Sequence, residues 1–157
     1  MPARRILRGL LLVILAGVSP LCAQREKLPW EDLEIVETKW PDAKKTSTGL
    51  RYLILKEGTG DARPLPGDIV KVLFQGRLLD GHVFNESLDP AKPAPMRIGR
   101  DLLIPAWEEA IKNMRRGEKR LIIVPYELGY GTKGDPPRVP RRATLIFEIE
   151  VLDFGKE

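Results

Sequence analysis

Only one stretch of this chain carries a clear helical stripe. Trp107, Ala110, Ile111 and Met114 recur at i, i+3, i+4 and i+7, which puts them on one face of a helix. Pro105 suits the first helical position, where its missing N–H is not needed. Glu108 and Glu109 sit in the early turns, where the helix dipole favours acids. Arg115 and Arg116 fall in the expected last turn, and Gly117 is the predicted stop. Most other regular segments alternate with a period of two. A lone amphipathic helix among strands cannot build a bundle, so its apolar stripe must be buried against one face of a sheet.

The strands are predicted in order along the chain. Leu50 to Lys56 is the first, closed by Glu57-Gly-Thr-Gly60, and residues 61–67 read as a loop. Ile69 to Leu79 alternates, with Val70, Val72, Phe74 and Leu78 on one face and Lys71, Gln75 and Arg77 on the other. Asp80-Gly81 is a hairpin signal, because glycine accepts the positive φ such turns require. Val83 to Glu86 is the return strand. Pro90, Pro93 and Pro95 make the next segment irregular, and Met96 to Ile98 is a short strand. Lys119 to Val124 follows the helix. Pro125 to Arg142 is a long loop rich in proline and glycine, and Ala143 to Leu152 is the last strand. There Leu145, Phe147, Ile149 and Val151 are predicted to face in, and Thr144, Glu148 and Glu150 to face out. The expected fold is α+β, an antiparallel sheet of about five strands covering one short helix.

A chain of 157 residues, 43% hydrophobic and 31% charged, has room for one packed domain. One Cys and one His exclude a disulfide framework and the usual Cys/His structural zinc site. The N-terminus reads as an export signal. Arg4, Arg5 and Arg8 precede an apolar run from Gly9 to Val18, and small residues follow near Ala23. That run is too short for a membrane-spanning helix, which takes about 20 residues. Residues 1–23 are therefore assigned to a signal peptide and residues 24–48 to an extension or linker. Residues 49–154 form the domain, and 155–157 a short tail. Loss of residues 1–23 removes three arginines from a formal charge of +4. The basic balance thus resides largely in the signal and argues against a nucleic-acid partner. Residues 24–40 are acidic, with Trp30, Leu33, Val36 and Trp40 scattered through them. A short helix there has little support from spacing, and the stretch reads as loosely packed or as a tether.

Several motifs then fall in order: Gly67-Asp68, Val72-Leu-Phe-Gln-Gly76, Asp80-Gly-His-Val-Phe84, Ile98-Gly99 and Leu103-Ile-Pro-Ala-Trp-Glu-Glu109. Met114 with Gly117-Glu-Lys-Arg120, Tyr126-Glu-Leu-Gly-Tyr-Gly131 and Val139 to Phe147 complete the set. In this order and spacing the chain resembles the FKBP-type peptidyl-prolyl isomerases over residues 49–154. The resemblance implies a half-open sheet wrapped around the helix, with an apolar cleft floored by Trp107. It assigns Phe74, Phe84, Asn85, Tyr130 and Phe147 to catalysis. It assigns Met96, Leu103, Ile104, Trp107 and Val139 to substrate binding. The Ile104 N–H and the Tyr130 hydroxyl would hold the substrate backbone. Proline-bearing unfolded or partly folded chains are the implied partners, and macrolide immunosuppressants are candidate ligands of the same cleft.

The match has departures. Phe74 stands where the family usually has tyrosine, and Asn85 where aspartate is usual, so an acceptor-only carboxylate becomes a neutral amide. Ala94 replaces a cleft-edge aromatic, and Pro90 replaces a basic residue. These changes favour a rival expectation, a non-catalytic module of the same fold that binds proline segments as a chaperone.

The implied chemistry needs no nucleophile, metal or cofactor. Amide resonance sets a rotational barrier of about 18–20 kcal/mol, and an X–Pro bond turns unaided in roughly 10–100 s. The twisted amide is less dipolar than the planar one, so a dry aromatic cleft opposes it less. Contacts made only to the displaced carbonyl oxygen add to this. His82 reads as exposed and idle, and the oligomeric state is left open.

Overall fold

The computed structural model describes residues 25–156; the signal-like segment 1–23 lies outside the described residues. In chain order the elements are α1 (Trp30–Lys39), β1 (Lys44–Lys45), β2 (Arg51–Lys56), β3 (Ile69–Leu78), β4 (Val83–Ser87) and β5 (Ala94–Arg97). Then come α2 (Pro105–Lys112), β6 (Lys119–Val124) and β7 (Leu145–Gly155), with a single 3-10 turn at Tyr126–Leu128. The strands form a 7-stranded sheet in the order β1-β2-β6-β7-β3-β4, with β5 paired to β3. Every pairing is antiparallel.

The long alternating strand β3 organises the sheet. One edge runs along β7 from Ile69 to Leu78. Its other edge serves two partners, β5 opposite Ile69–Val72 and β4 opposite Phe74–Arg77. The β3–β4 turn closes through the predicted glycine: Gly81 has φ +96° and its N–H donates to Leu78 O at 3.0 Å.

The stripe on α2 is buried as its spacing required. Ala106, Trp107, Ala110 and Ile111 are buried, and Met114 is fully buried just beyond the helix. They meet Val70, Val72 and Phe74 of β3, Ile122 and Val124 of β6, and the inward residues of β7. The helix is shorter than predicted. It ends at Lys112, with Asn113 as its C-cap, and Gly117 (φ +72°) instead turns the chain into β6. That turn is held by Glu118, a fully buried carboxylate. It accepts the Arg115 N–H at 3.0 Å and pairs with the Arg120 guanidinium.

Residues 25–48 correct the expectation of a loose extension. Helix α1 lies on the outer face of the sheet, opposite α2. Its Val36 is fully buried against Leu121, Ile123 and Ile146, with Leu28 beside it. Polar ties fix it further. Thr144, expected to face solvent, is buried, and its hydroxyl donates to Asp32 at 2.6 Å. Glu26 takes hydrogen bonds from Lys45 at 2.7 Å and Arg51 at 2.9 Å. The physical reason is visible in β6 and β7. Leu121-Ile-Ile-Val124 and Leu145-Ile-Phe147 are unbroken apolar runs, the pattern of strands buried on both faces. Something has to cover the outer side of those runs, and α1 does so.

Candidate active site

An open cleft with a volume of about 150 Å³ lies at one end of α2. Trp107 enters it from the first turn of α2. Phe74 comes from β3, Asn85 from β4, Met96 from β5 and Phe147 from β7, while Tyr130 comes from the loop after β6. Leu102, Leu103 and Ile104 close it from the segment leading into α2. Of the residues assigned from sequence, all but two line this space.

The two exceptions stand behind the lining. Val139 is buried in the main core, and its N–H and carbonyl both pair with Asp135, which clips the long loop. Phe84 supports two lining rings, edge-on to Phe147 at 5.6 Å and to Tyr130 at 6.4 Å. Leu102 was missed by sequence reasoning. It belongs to no apolar stripe and carried no motif signal, yet it lines the cleft while fully exposed. Ala94 is half-buried against the core, and Pro90 is exposed.

The aromatic walls form one continuous edge-on series. Phe74 meets Trp107 at 4.9 Å, Trp107 meets Phe147 at 5.3 Å, and all interplanar angles lie between 83° and 89°. Such T-shaped pairs place positive ring edges on negative faces, adding about 0.5–1.5 kcal/mol per pair beyond burial. The rings approach closely because β3 has no side chain at Gly76. A Cβ there would lie 2.6 Å from Phe147 Cε1 and 2.8 Å from Phe84 Cζ.

Three polar groups open into this apolar space unpaired among the described residues: the Ile104 N–H, the Tyr130 hydroxyl and the Asn85 amide. The Ile104 N–H is free because Ile104 is the N-cap of α2, ahead of the intrahelical bonds. Burial, with the nearby Asp135 charge, pushes the Tyr130 hydroxyl above its usual pKa, against a smaller opposing effect of Arg138. It therefore stays a protonated donor through neutral pH. Among the described residues, no group of three or more His, Cys, Asp and Glu side chains is arranged to hold a metal ion.

Comparison with known proteins accords with this geometry. The family model described as FKBP-type peptidyl-prolyl cis-trans isomerase matches residues 60–152. The chain belongs to this FKBP family. It is 38% identical over 135 residues to human peptidyl-prolyl cis-trans isomerase FKBP4, covering 86% of this chain but 28% of that protein. It is 40% identical over 110 residues to FkpA of Escherichia coli K12, covering 70% of this chain and 39% of FkpA. Thus it spans well under half the length of both relatives. A crystal structure of Escherichia coli FkpA superimposes with a TM-score of 0.70 at 36% identity, over 80% of this chain and 58% of that one. A peptidyl-prolyl cis-trans isomerase from Pseudomonas syringae gives a TM-score of 0.69 at 29% identity, over 80% and 92% of the two chains. In this member the cleft lies between the sheet and α2. Among its described residues no helix is long and apolar enough to cross a membrane.

Proposed function

We propose that this FKBP family member accelerates rotation about X–Pro bonds in proteins that are folding, and that the Trp107 cleft is where it does so. The observation that carries the reading is the juxtaposition of an aromatic box with unpaired backbone and hydroxyl donors. The pyrrolidine ring rests on the Trp107 indole between Phe74 and Phe147. The Ile104 N–H holds a substrate carbonyl. The X carbonyl swings through the half-turned state, where resonance is lost and the nitrogen becomes pyramidal. The apolar walls disfavour the planar, more dipolar ground state relative to this twisted one. The Tyr130 hydroxyl is a donor available to the displaced oxygen. A donor satisfied only in the twisted geometry lowers the barrier, whereas one satisfied in both geometries merely tightens binding.

Export is part of the proposal, supported by the basic, apolar and small-residue pattern of residues 1–23. The partners on this reading are unfolded or partly folded exported chains with accessible prolines. A macrolide immunosuppressant would compete for the same cleft. The test is refolding of a protein whose slow phase is set by proline isomerisation. Acceleration of that phase by catalytic amounts of the chain supports the reading. An unchanged rate, with binding only at stoichiometric amounts, would leave a proline-binding module instead.

A further inference from the structure

We propose that Leu102 reads the residue that follows proline in the substrate and favours a large apolar side chain there. The inference rests on proline occupying the Trp107 cleft. Leu102 is a leucine with its whole side chain in solvent, at the lip of that cleft. Its position is built. Leu103 N–H donates to Asp101 O at 2.8 Å, closing a three-residue turn with Leu102 at its apex, which throws the side chain outward. The turn is anchored on both sides. Asp101 Oδ2 accepts the Arg97 N–H at 2.6 Å, and Glu108 Oε1 accepts the Gly99 N–H at 2.8 Å, so the segment is tied to both β5 and α2. An exposed leucine on an anchored turn gains nothing from the fold. It gains burial when an apolar group docks beside it.

The side of the proline follows from what moves. During isomerisation the carbonyl before proline swings through about half a turn, so a fixed N–H cannot hold it throughout. Proline's own carbonyl stays with the ring. The Ile104 N–H, fixed at the start of α2 beside Trp107, is suited to that stationary oxygen. Leu102 lies two residues from Ile104 along the same segment, so it meets the chain leaving proline, not the chain entering it.

The test uses peptides Ala-X-Pro-Y, followed by NMR exchange for kcat/KM and by calorimetry for Kd, without a coupling protease. With X held as Ala, the protein should prefer Y = Leu or Phe over Y = Ser by about five- to tenfold, the worth of one partly buried apolar contact. Leu102→Ser should bring that ratio close to one, and Leu102→Met should keep most of it. Leu55→Ser, an exposed leucine on the remote strand β2, should leave the ratio as it is. A preference that survives Leu102→Ser, or that shifts at X instead of Y, would overturn the inference. If Kd shows the Leu102-dependent preference but no peptide turns over faster, the isomerase reading fails and this one stands. If neither binding nor turnover depends on Y, the inference is wrong.

Discussion

The Phe147 ring meets the Trp107 indole edge-on, with 5.3 Å between centroids and 89° between planes. The same ring meets Phe84 at 5.6 Å. One side chain of β7 thus links the floor of the cleft, on α2, to the support behind Tyr130.

Space on β3 permits the arrangement, which gives a first prediction. Gly76→Ala places a methyl 2.6 Å from Phe147 and 2.8 Å from Phe84, and both rings must move. Overpacking of this kind costs about 1–3 kcal/mol of stability. Displaced walls should lower kcat/KM by about tenfold. Thermal unfolding and peptide turnover on the same protein separate the two effects.

The outer helix supplies a second. Val36 is fully buried on the back of the sheet. Val36→Ala should cost about 2 kcal/mol through lost burial and the cavity left behind. Thr144→Val removes the donor to Asp32 and should cost about 1 kcal/mol. Neither touches the cleft, so turnover by the folded fraction should be unchanged. Urea unfolding measures the first effect, and a peptide assay under native conditions checks the second.

Glu26 sets a pH dependence of stability. Partial burial pushes its carboxyl up. Hydrogen bonds from Lys45, the Leu28 N–H and Arg51, with the Arg51 charge, outweigh that and hold its pKa at about 2, against an ordinary 4.5. A depressed carboxylate stabilises the fold above its unfolded pKa. That contribution is lost as pH falls from about 4.5 to about 2. Discounted for its part exposure, it amounts to about 1–2 kcal/mol. Glu26→Gln should flatten the acid limb of the stability curve, read from urea midpoints between pH 5 and pH 2.

Asn85 gives a prediction for activity. Its neutral amide lines the cleft with no partner among the described residues. A carboxylate there would accept hydrogen bonds and orient the cleft's donors. Asn85→Asp should raise kcat/KM by about threefold, roughly 0.7 kcal/mol in the barrier. It should also introduce a pH dependence near a carboxylate pKa that the parent lacks. An unchanged rate and a flat profile in the variant would assign Asn85 no part in turnover.

Much of this was legible in the chain. Period-two alternation in residues 69–78 and 145–151, and the single stripe on Trp107, Ala110, Ile111 and Met114, gave the sheet, the helix and the face each buries. The cleft followed by motif, and eight of the ten assigned residues were found lining it. Helix α1 was hard to see because it buries one residue, Val36, completely and leaves Trp30 and Ile35 exposed, so it has almost no stripe to detect. The better clue lay in its partners, since Leu121 to Val124 is apolar on both faces. Leu102 was invisible for a different reason. Its role depends on a turn that points it outward, and period carries no record of that.

The most direct measurement is the cis-to-trans rate of a short X–Pro peptide with the purified protein, compared with Phe147→Ala and Tyr130→Phe. The account predicts clear acceleration by the parent. Phe147→Ala should lose about ten- to a hundredfold in kcat/KM, because a cleft wall is gone. Tyr130→Phe should lose about threefold to tenfold, with its fold intact. A folded parent that gives no acceleration, or variants that turn over as fast as the parent, would contradict the claim that this cleft isomerises proline.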